Sequence, residues 1–226
     1  MLSLAAVGGV AFLQYSRVDK ARLRKASLEQ LTAPKPEPLP VIATLPDFTL
    51  IDSSGKRVSL NDLRGRVWVA DFFFTYCAGP CPVMSRRMSE LRQILKDEKM
   101  DDVLCVSISV DPERDTPKVL AEHAEMLKAE PGKWLFMTGK KSQIYDLAIK
   151  GFKVVVADSE QADEQILHST RFVLIDRLGR IRGYYKALAD DEEMDPQLAV
   201  PGRGMPQDIR SRLLTDIRVL RDEAAK

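Results

Sequence analysis

Apolar residues fill positions 67–74 except for Asp71, the pattern of a strand buried on both faces. A second central strand is predicted over 103–110 and a third over 134–138. Between the first two, Met84, Met88, Leu91 and Leu95 recur at helical spacing just after Pro82. Asp115-Thr116-Pro117 opens another helix that runs to about Leu127, with a capping residue ahead of proline at the first helical position. A short helix over 142–150 starts at a serine cap, and 152–156 reads as a short edge strand. Segments 171–176 and 181–185 flank Arg177-Leu178-Gly179-Arg180, a hairpin with glycine in its turn. Ile209, Leu213, Ile217 and Leu220 line one face of a final helix. Upstream, 48–51 is a short strand and 52–55 a turn. The order β-α-β-α-β, then a β-hairpin, then α, predicts an α/β fold: a central mixed sheet sandwiched by helices.

The pattern changes before position 45. Residues 1–15 are apolar apart from Ser3 and Gln14. They are short for a span of about 20 residues and lack the basic start and cleavage motif of a signal peptide. They read as a membrane anchor, or as the remaining part of a longer one, with a buried helix as the alternative. Arg17, Lys20, Arg22, Arg24 and Lys25 follow this run, which the positive-inside rule places on the cytoplasmic side, against a simple topology. Residues 16–44 form a linker, first charged, then carrying Pro34, Pro36, Pro38 and Pro40 at alternate positions as a stiff spacer. The folded domain is expected over 45–226.

Composition narrows the function. The 226 residues are 45% hydrophobic, enough for one domain with a sizeable core. Lys+Arg is 34 and Asp+Glu 33, so no basic field points to nucleic acid. Three cysteines are too few for a disulfide scaffold, and the two histidines, His123 and His168, too few for a multi-histidine metal site.

The chemistry concentrates in Phe73-Phe74-Thr75-Tyr76-Cys77-Ala78-Gly79-Pro80-Cys81-Pro82. Two thiols follow a buried strand and precede a helix. Such a pair either exchanges electrons as dithiol and disulfide or holds a soft metal as thiolates. The free amides and partial positive charge of the helix start favour thiolate there.

Longer stretches carry a resemblance. Pro46-Asp47-Phe48-Thr49-Leu50, Gly55-Lys56-Arg57-Val58-Ser59-Leu60 and the run from Leu63 to Thr75 resemble the opening of the Sco/SenC family. Cys77 and Cys81 match its C-x-x-x-C-P, 109–117 its mid-domain signature, and His168-Ser169-Thr170 with 172–176 its histidine segment. The likeness covers roughly 45–185, in order. It implies a thioredoxin-like fold and a copper protein that helps assemble the copper site of cytochrome c oxidase. Cys77, Cys81 and His168 would be the ligands of Cu(I), and also of Cu(II). The implied partners are the copper-accepting oxidase subunit, a copper donor protein, a thiol reductant and the membrane. The implied setting is the bacterial periplasm, or the mitochondrial intermembrane space as the alternative. Ala78 departs from the family's frequent proline after the first cysteine, and Leu167 adjoins the histidine where an acidic stretch is common.

Plainer readings stand beside these. Cys105 reads as an inert core thiol, Met84 and Met88 as core packing, and His123 as a solvated or half-buried helix residue. Asp111 and Asp115 read as turn and cap residues, and the acidic run 190–195 as a solvated loop. Two other functions compete with copper delivery. A thiol–disulfide oxidoreductase would use Cys77 and Cys81 as its redox pair without needing His168. It would, however, lack the proline that thioredoxins place before the late strand, where Ser169, Thr170 and Arg171 stand. A peroxidase of the peroxiredoxin kind would want threonine where Phe74 stands, three residues before Cys77.

Overall fold

The computed structural model describes residues 37–154, 169–189 and 204–223. Contacts divide the chain into Met1–Glu37 and Pro38–Lys226, and every element below belongs to the second unit. The anchor and most of the linker, the acidic run 190–195 and His168 lie outside the described residues.

The elements in chain order are β1 (Ala43–Thr44), β2 (Thr49–Asp52), β3 (Arg57–Ser59), α1 (Leu60–Leu63), β4 (Trp68–Phe73), α2 (Cys81–Asp97), β5 (Leu104–Ser109), α3 (Pro117–Met126), β6 (Trp134–Thr138), α4 (Lys141–Asp146), β7 (Arg171–Ile175), β8 (Arg180–Lys186) and α5 (Gln207–Asp222). The sheet order is β1-β8-β7-β4-β5-β6-β2-β3. The strands β4, β5 and β6 pair in parallel, and the remaining pairs are antiparallel. The α/β class and the mixed sheet are as the periodicity predicts.

All six residues of β4 and all six of β5 are buried. Their side chains alternate between two covered faces. On one, Trp68 and Phe72 meet Phe152 edge to face, with ring centroids 6.0 and 5.1 Å apart. On the other, Phe73 stacks on His123 of α3 at 5.3 Å and meets Phe136. The steps β4-α2-β5 and β5-α3-β6 move across the sheet in the same direction. Right-handed crossovers therefore place α2 and α3 together on the Phe73 face. There Met84, Met88, Leu91 and Leu95 of α2 are almost fully buried, each contributing about 1.5–3 kcal/mol of apolar burial. Leu213, Ile217 and Leu220 of α5 are buried as their spacing predicts, with Ile209 packed at the margin.

Three local expectations change. Ser142 does not cap α4, which starts one residue earlier after extended Lys140 without any side-chain cap. Residues 152–154 form no strand: α4 runs on into a π-helical turn, Leu147–Gly151, and Lys153 takes φ +54°, which breaks an extended path. Positions 155 and 156 lie outside the described residues. Asp115 is not the cap of α3. Thr116 is, and its hydroxyl accepts from Val119 N. Thr116→Ala should cost about 1 kcal/mol in urea unfolding, and a loss below a few tenths would show that this cap contributes little.

The β7–β8 hairpin turns as predicted. Asp176 Oδ1 accepts from the amides of Leu178 and Arg180, both at 2.9 Å, and Gly179 takes φ +78°. A Cβ at Gly179 would also lie 3.1 Å from Leu60, so the turn favours glycine on two counts. Arg182, buried in β8, donates to Asp176 and Glu223 and to the carbonyls of Leu39 and Pro40. Arg177 donates to the carbonyls of Leu220, Arg221 and Glu223 at the end of α5.

Candidate metal centre

The strand β4 ends at Phe73, and the chain turns back through 74–80 to start α2 at Cys81. This loop is short because Pro80 stands at the helix cap and its carbonyl already accepts from Val83 and Met84. Cys77 N donates to Phe74 O at 3.4 Å, and Gly79 N points at Cys77 Sγ at 3.4 Å. Cys77 and Cys81 are 8% and 7% exposed, so both thiols are covered yet one loop away from solvent. Neither is in a disulfide, and Cys77 is the neighbour that acts most on the Cys81 thiol.

Cys77 and burial oppose the helix start. The Cys81 thiol is held protonated well above the ordinary thiol range, first by its hydrogen bond to Cys77 and then by burial. Hydrogen bonding from the Phe74 backbone pulls the other way and loses. At Cys81 the neighbouring Cys77 and the lost hydration thus work against the thiolate that the helix start favours.

Asp115 braces the loop from below. Its carboxylate is fully buried and accepts from the Thr75 amide at 3.1 Å, from the Thr75 hydroxyl and from the Ser109 hydroxyl at 2.5 Å. Ser109 Oγ in turn accepts from Asp111 N at 3.1 Å. Asp115 thus ties the end of β5 to a residue two positions before Cys77. Local sequence cannot show this, since the partners lie 40 positions apart.

Asp71 is the other unforeseen group. It is fully buried, and neither carboxylate oxygen has a partner at hydrogen-bond geometry. Burial pushes its pKa up to about 7, offset only in part by the Ser107 hydroxyl and its own amide. The one sequence signal was the charge interrupting the apolar run.

Other candidates fall as expected. Cys105 is fully buried, and burial pushes its thiol up to about 12, an inert core group. Met84 and Met88 are core residues. His123 is half-buried against Phe73, and burial lowers its pKa. Among the described residues, no three His, Cys, Asp or Glu side chains converge as a metal site. The cysteines form a pair, and His168 lies outside the described residues. A groove of about 710 Å³ beside β2, α1 and α4 is lined by Asp47, Arg57, Arg64 and Lys140 among others, and neither cysteine enters it.

The SCO1/SenC family model matches residues 38–200. The SCO1 protein homolog of Bacillus subtilis is 39% identical over 142 residues, 62% of this chain and 72% of that protein. Among solved structures, BsSco, described through its disulfide switch as a member of the Sco family of cytochrome c oxidase assembly proteins, superposes with a TM-score of 0.65 at 30% identity. That match covers 84% of this chain and all of the other. ScoI of Arabidopsis thaliana with copper bound gives 0.59 at 26% identity, over 78% and 99% of the two chains. With its thioredoxin-like sheet, its paired thiols at the start of α2 and a family match across most of its length, this chain belongs to the SCO1/SenC family.

Proposed function

We propose that this protein is a copper metallochaperone that delivers copper to the copper site of a cytochrome c oxidase subunit, holding its cargo with Cys77, Cys81 and His168. The carrying observation is the pair of neighbouring, shielded thiols where the chain enters α2. Two thiolates and an imidazole make a soft, low-coordinate set that suits Cu(I) and also serves Cu(II). Three ligands leave one side open for ligand exchange with an acceptor. Support comes from the copper held by the Arabidopsis relative and the oxidase-assembly family of BsSco. Cargo binding must displace the Cys81 proton, so affinity rises with pH.

In this reading residues 1–15 tie the protein to a membrane, 16–44 act as a spacer, and the domain works on the periplasmic side. No helix among the described residues is long and apolar enough to cross a membrane. The partners are the accepting subunit, a copper donor and a thiol reductant. Nucleic acid is not among them.

The test is Cu(I) binding to the reduced protein, by competition with a chromophoric chelator, beside Cys77→Ala, Cys81→Ala and His168→Ala. One equivalent should bind tightly, and each substitution should weaken binding at least about tenfold, as ligand-shell losses do. Weak binding, or a His168→Ala variant equal to wild type, would overturn the reading. A second reading rests on the two neighbouring thiols at the start of α2, of which Cys77 acts strongly on Cys81. With the disulfide switch described for BsSco, it makes the pair a dithiol that reduces the acceptor's cysteines.

A further inference from the structure

Passing a cargo on from this chain needs an acceptor sulfur at bonding distance from thiols that are themselves covered. The acceptor surface around that sulfur must then press on whatever covers the thiol loop. Within 74–82 the exposed residues are Tyr76, Ala78 and Pro82, none of them charged. Tyr76 adjoins Cys77 and is 70% exposed, the only exposed aromatic among the described residues. A lone exposed aromatic is ordinary in itself. This one is held in place. The Arg114 guanidinium lies over its ring, 5.9 Å from the centroid. Arg114 Nε is held in turn by Asp111 Oδ2 at 2.7 Å. Asp111 N donates to Ser109 Oγ, Ser109 Oγ donates to Asp115, and Asp115 accepts from Thr75, the neighbour of Tyr76. These contacts close a circuit from the thiol loop through 109–115 and back. An aromatic ring already fixed offers a partner a large contact area at little cost in lost freedom.

We propose that Tyr76, with Arg114 as its positioning residue, is the docking point for the copper acceptor, a role that rests on the delivery reading of the same site. The partner it fits is a protein whose receiving thiols lie within an uncharged, partly apolar rim, the complement of Tyr76, Ala78 and Pro82. Docking brings the two sets of sulfurs together. An acceptor thiol gives its proton to solvent and bonds the copper from its open side. The bond from copper to one sulfur of this chain breaks, and the released thiolate takes a proton from solvent. Repeating the exchange at the remaining ligands frees the cargo, and copper stays Cu(I) throughout, so no electron moves. Tyr76 touches the acceptor and not the cargo. It therefore sets how much acceptor is needed and leaves copper affinity as it is.

The experiment loads the reduced full chain with one equivalent of Cu(I) and mixes it with the reduced, copper-free accepting domain of the oxidase subunit, over a series of acceptor concentrations. The two proteins are separated rapidly and the copper on each is measured. In parallel, a small chromophoric chelator, which needs no docking surface, withdraws copper from the same proteins. Tyr76→Ala should raise the half-saturating acceptor concentration at least about tenfold, as truncation of an interface tyrosine does, with the limiting transfer rate unchanged. Tyr76→Phe keeps the ring and should match wild type. Arg114→Ala should raise that concentration about threefold, the scale of an exposed cation–π contact. Copper affinity and withdrawal by the chelator should be the same in every variant. A Tyr76→Ala protein that transfers like wild type, or a Tyr76→Phe protein as impaired as Tyr76→Ala, overturns the docking role while leaving delivery intact. Chelator withdrawal that slows in step with transfer overturns it too, because Tyr76 would then only shape the loop. A wild-type protein that yields copper to the chelator and none to the accepting domain overturns the delivery reading and the docking point with it.

Discussion

Asp71→Asn should stabilise the fold at pH 8 by about 4 kcal/mol relative to its effect at pH 4, an order-of-magnitude figure from about 1.36 kcal/mol per unit of pKa. An ordinary aspartate titrates at 3.8, whereas buried Asp71 does so at about 7. Between those values the folded chain keeps a proton that the unfolded chain has lost. The contribution of Asp71 to wild-type stability therefore falls as pH rises, and the loss is complete above about pH 7. Asparagine fills the same space without the charge and removes this slope. Urea unfolding of both proteins at pH 4 and pH 8 reads the difference directly. An equal gap at the two pH values would mean that Asp71 is hydrated or paired.

The second large effect is at Asp115. Asp115→Ala removes the acceptor of three hydrogen bonds and strands the Thr75 amide and hydroxyl and the Ser109 hydroxyl. Bonds to a charged group contribute about 1.5–3 kcal/mol each, so the loss should be at least about 3 kcal/mol. The damage is local in character, because Thr75 precedes Cys77 by two residues. Alkylation of Cys77 in the folded protein should therefore quicken as well. A cost under about 1 kcal/mol, with unchanged alkylation, would show that the loop is held by other contacts.

These two aspartates also mark where the sequence stops being readable. The strands over 67–74 and 103–110, the helix through Met84 and Met88, and the final helix through Leu213 and Ile217 declare themselves because burial imposes a period on apolar residues. Cys77 and Cys81 are legible for the same reason, since they stand where a buried strand gives way to a helix. Asp115 is not, because Asp-Thr-Pro satisfies the rule for a helix start while its true partners come from β5 and from the loop after β4. Ser142 fails likewise, a residue suited to capping beside a helix that begins without a cap. The edge strand expected at 152 yields to a positive φ at Lys153, which no period announces. The proton on Cys81 depends on the influence of Cys77 and on depth, neither of which spacing reveals.

The Arg182 cluster has a mechanical meaning. Leu39 and Pro40 are held on the guanidinium that also grips Glu223, and Ala43 pairs with Ile181. Ile181 registers with Ile175, and Ile175 with Trp68 at the start of β4. The thiol loop leaves from the other end of that strand, about 17 Å along at roughly 3.3 Å per residue. A pull arriving through Leu39 is thus carried into β8 and the last turn of α5. The sulfurs sit off that load path, so tension on Leu39 spares the loop that carries them.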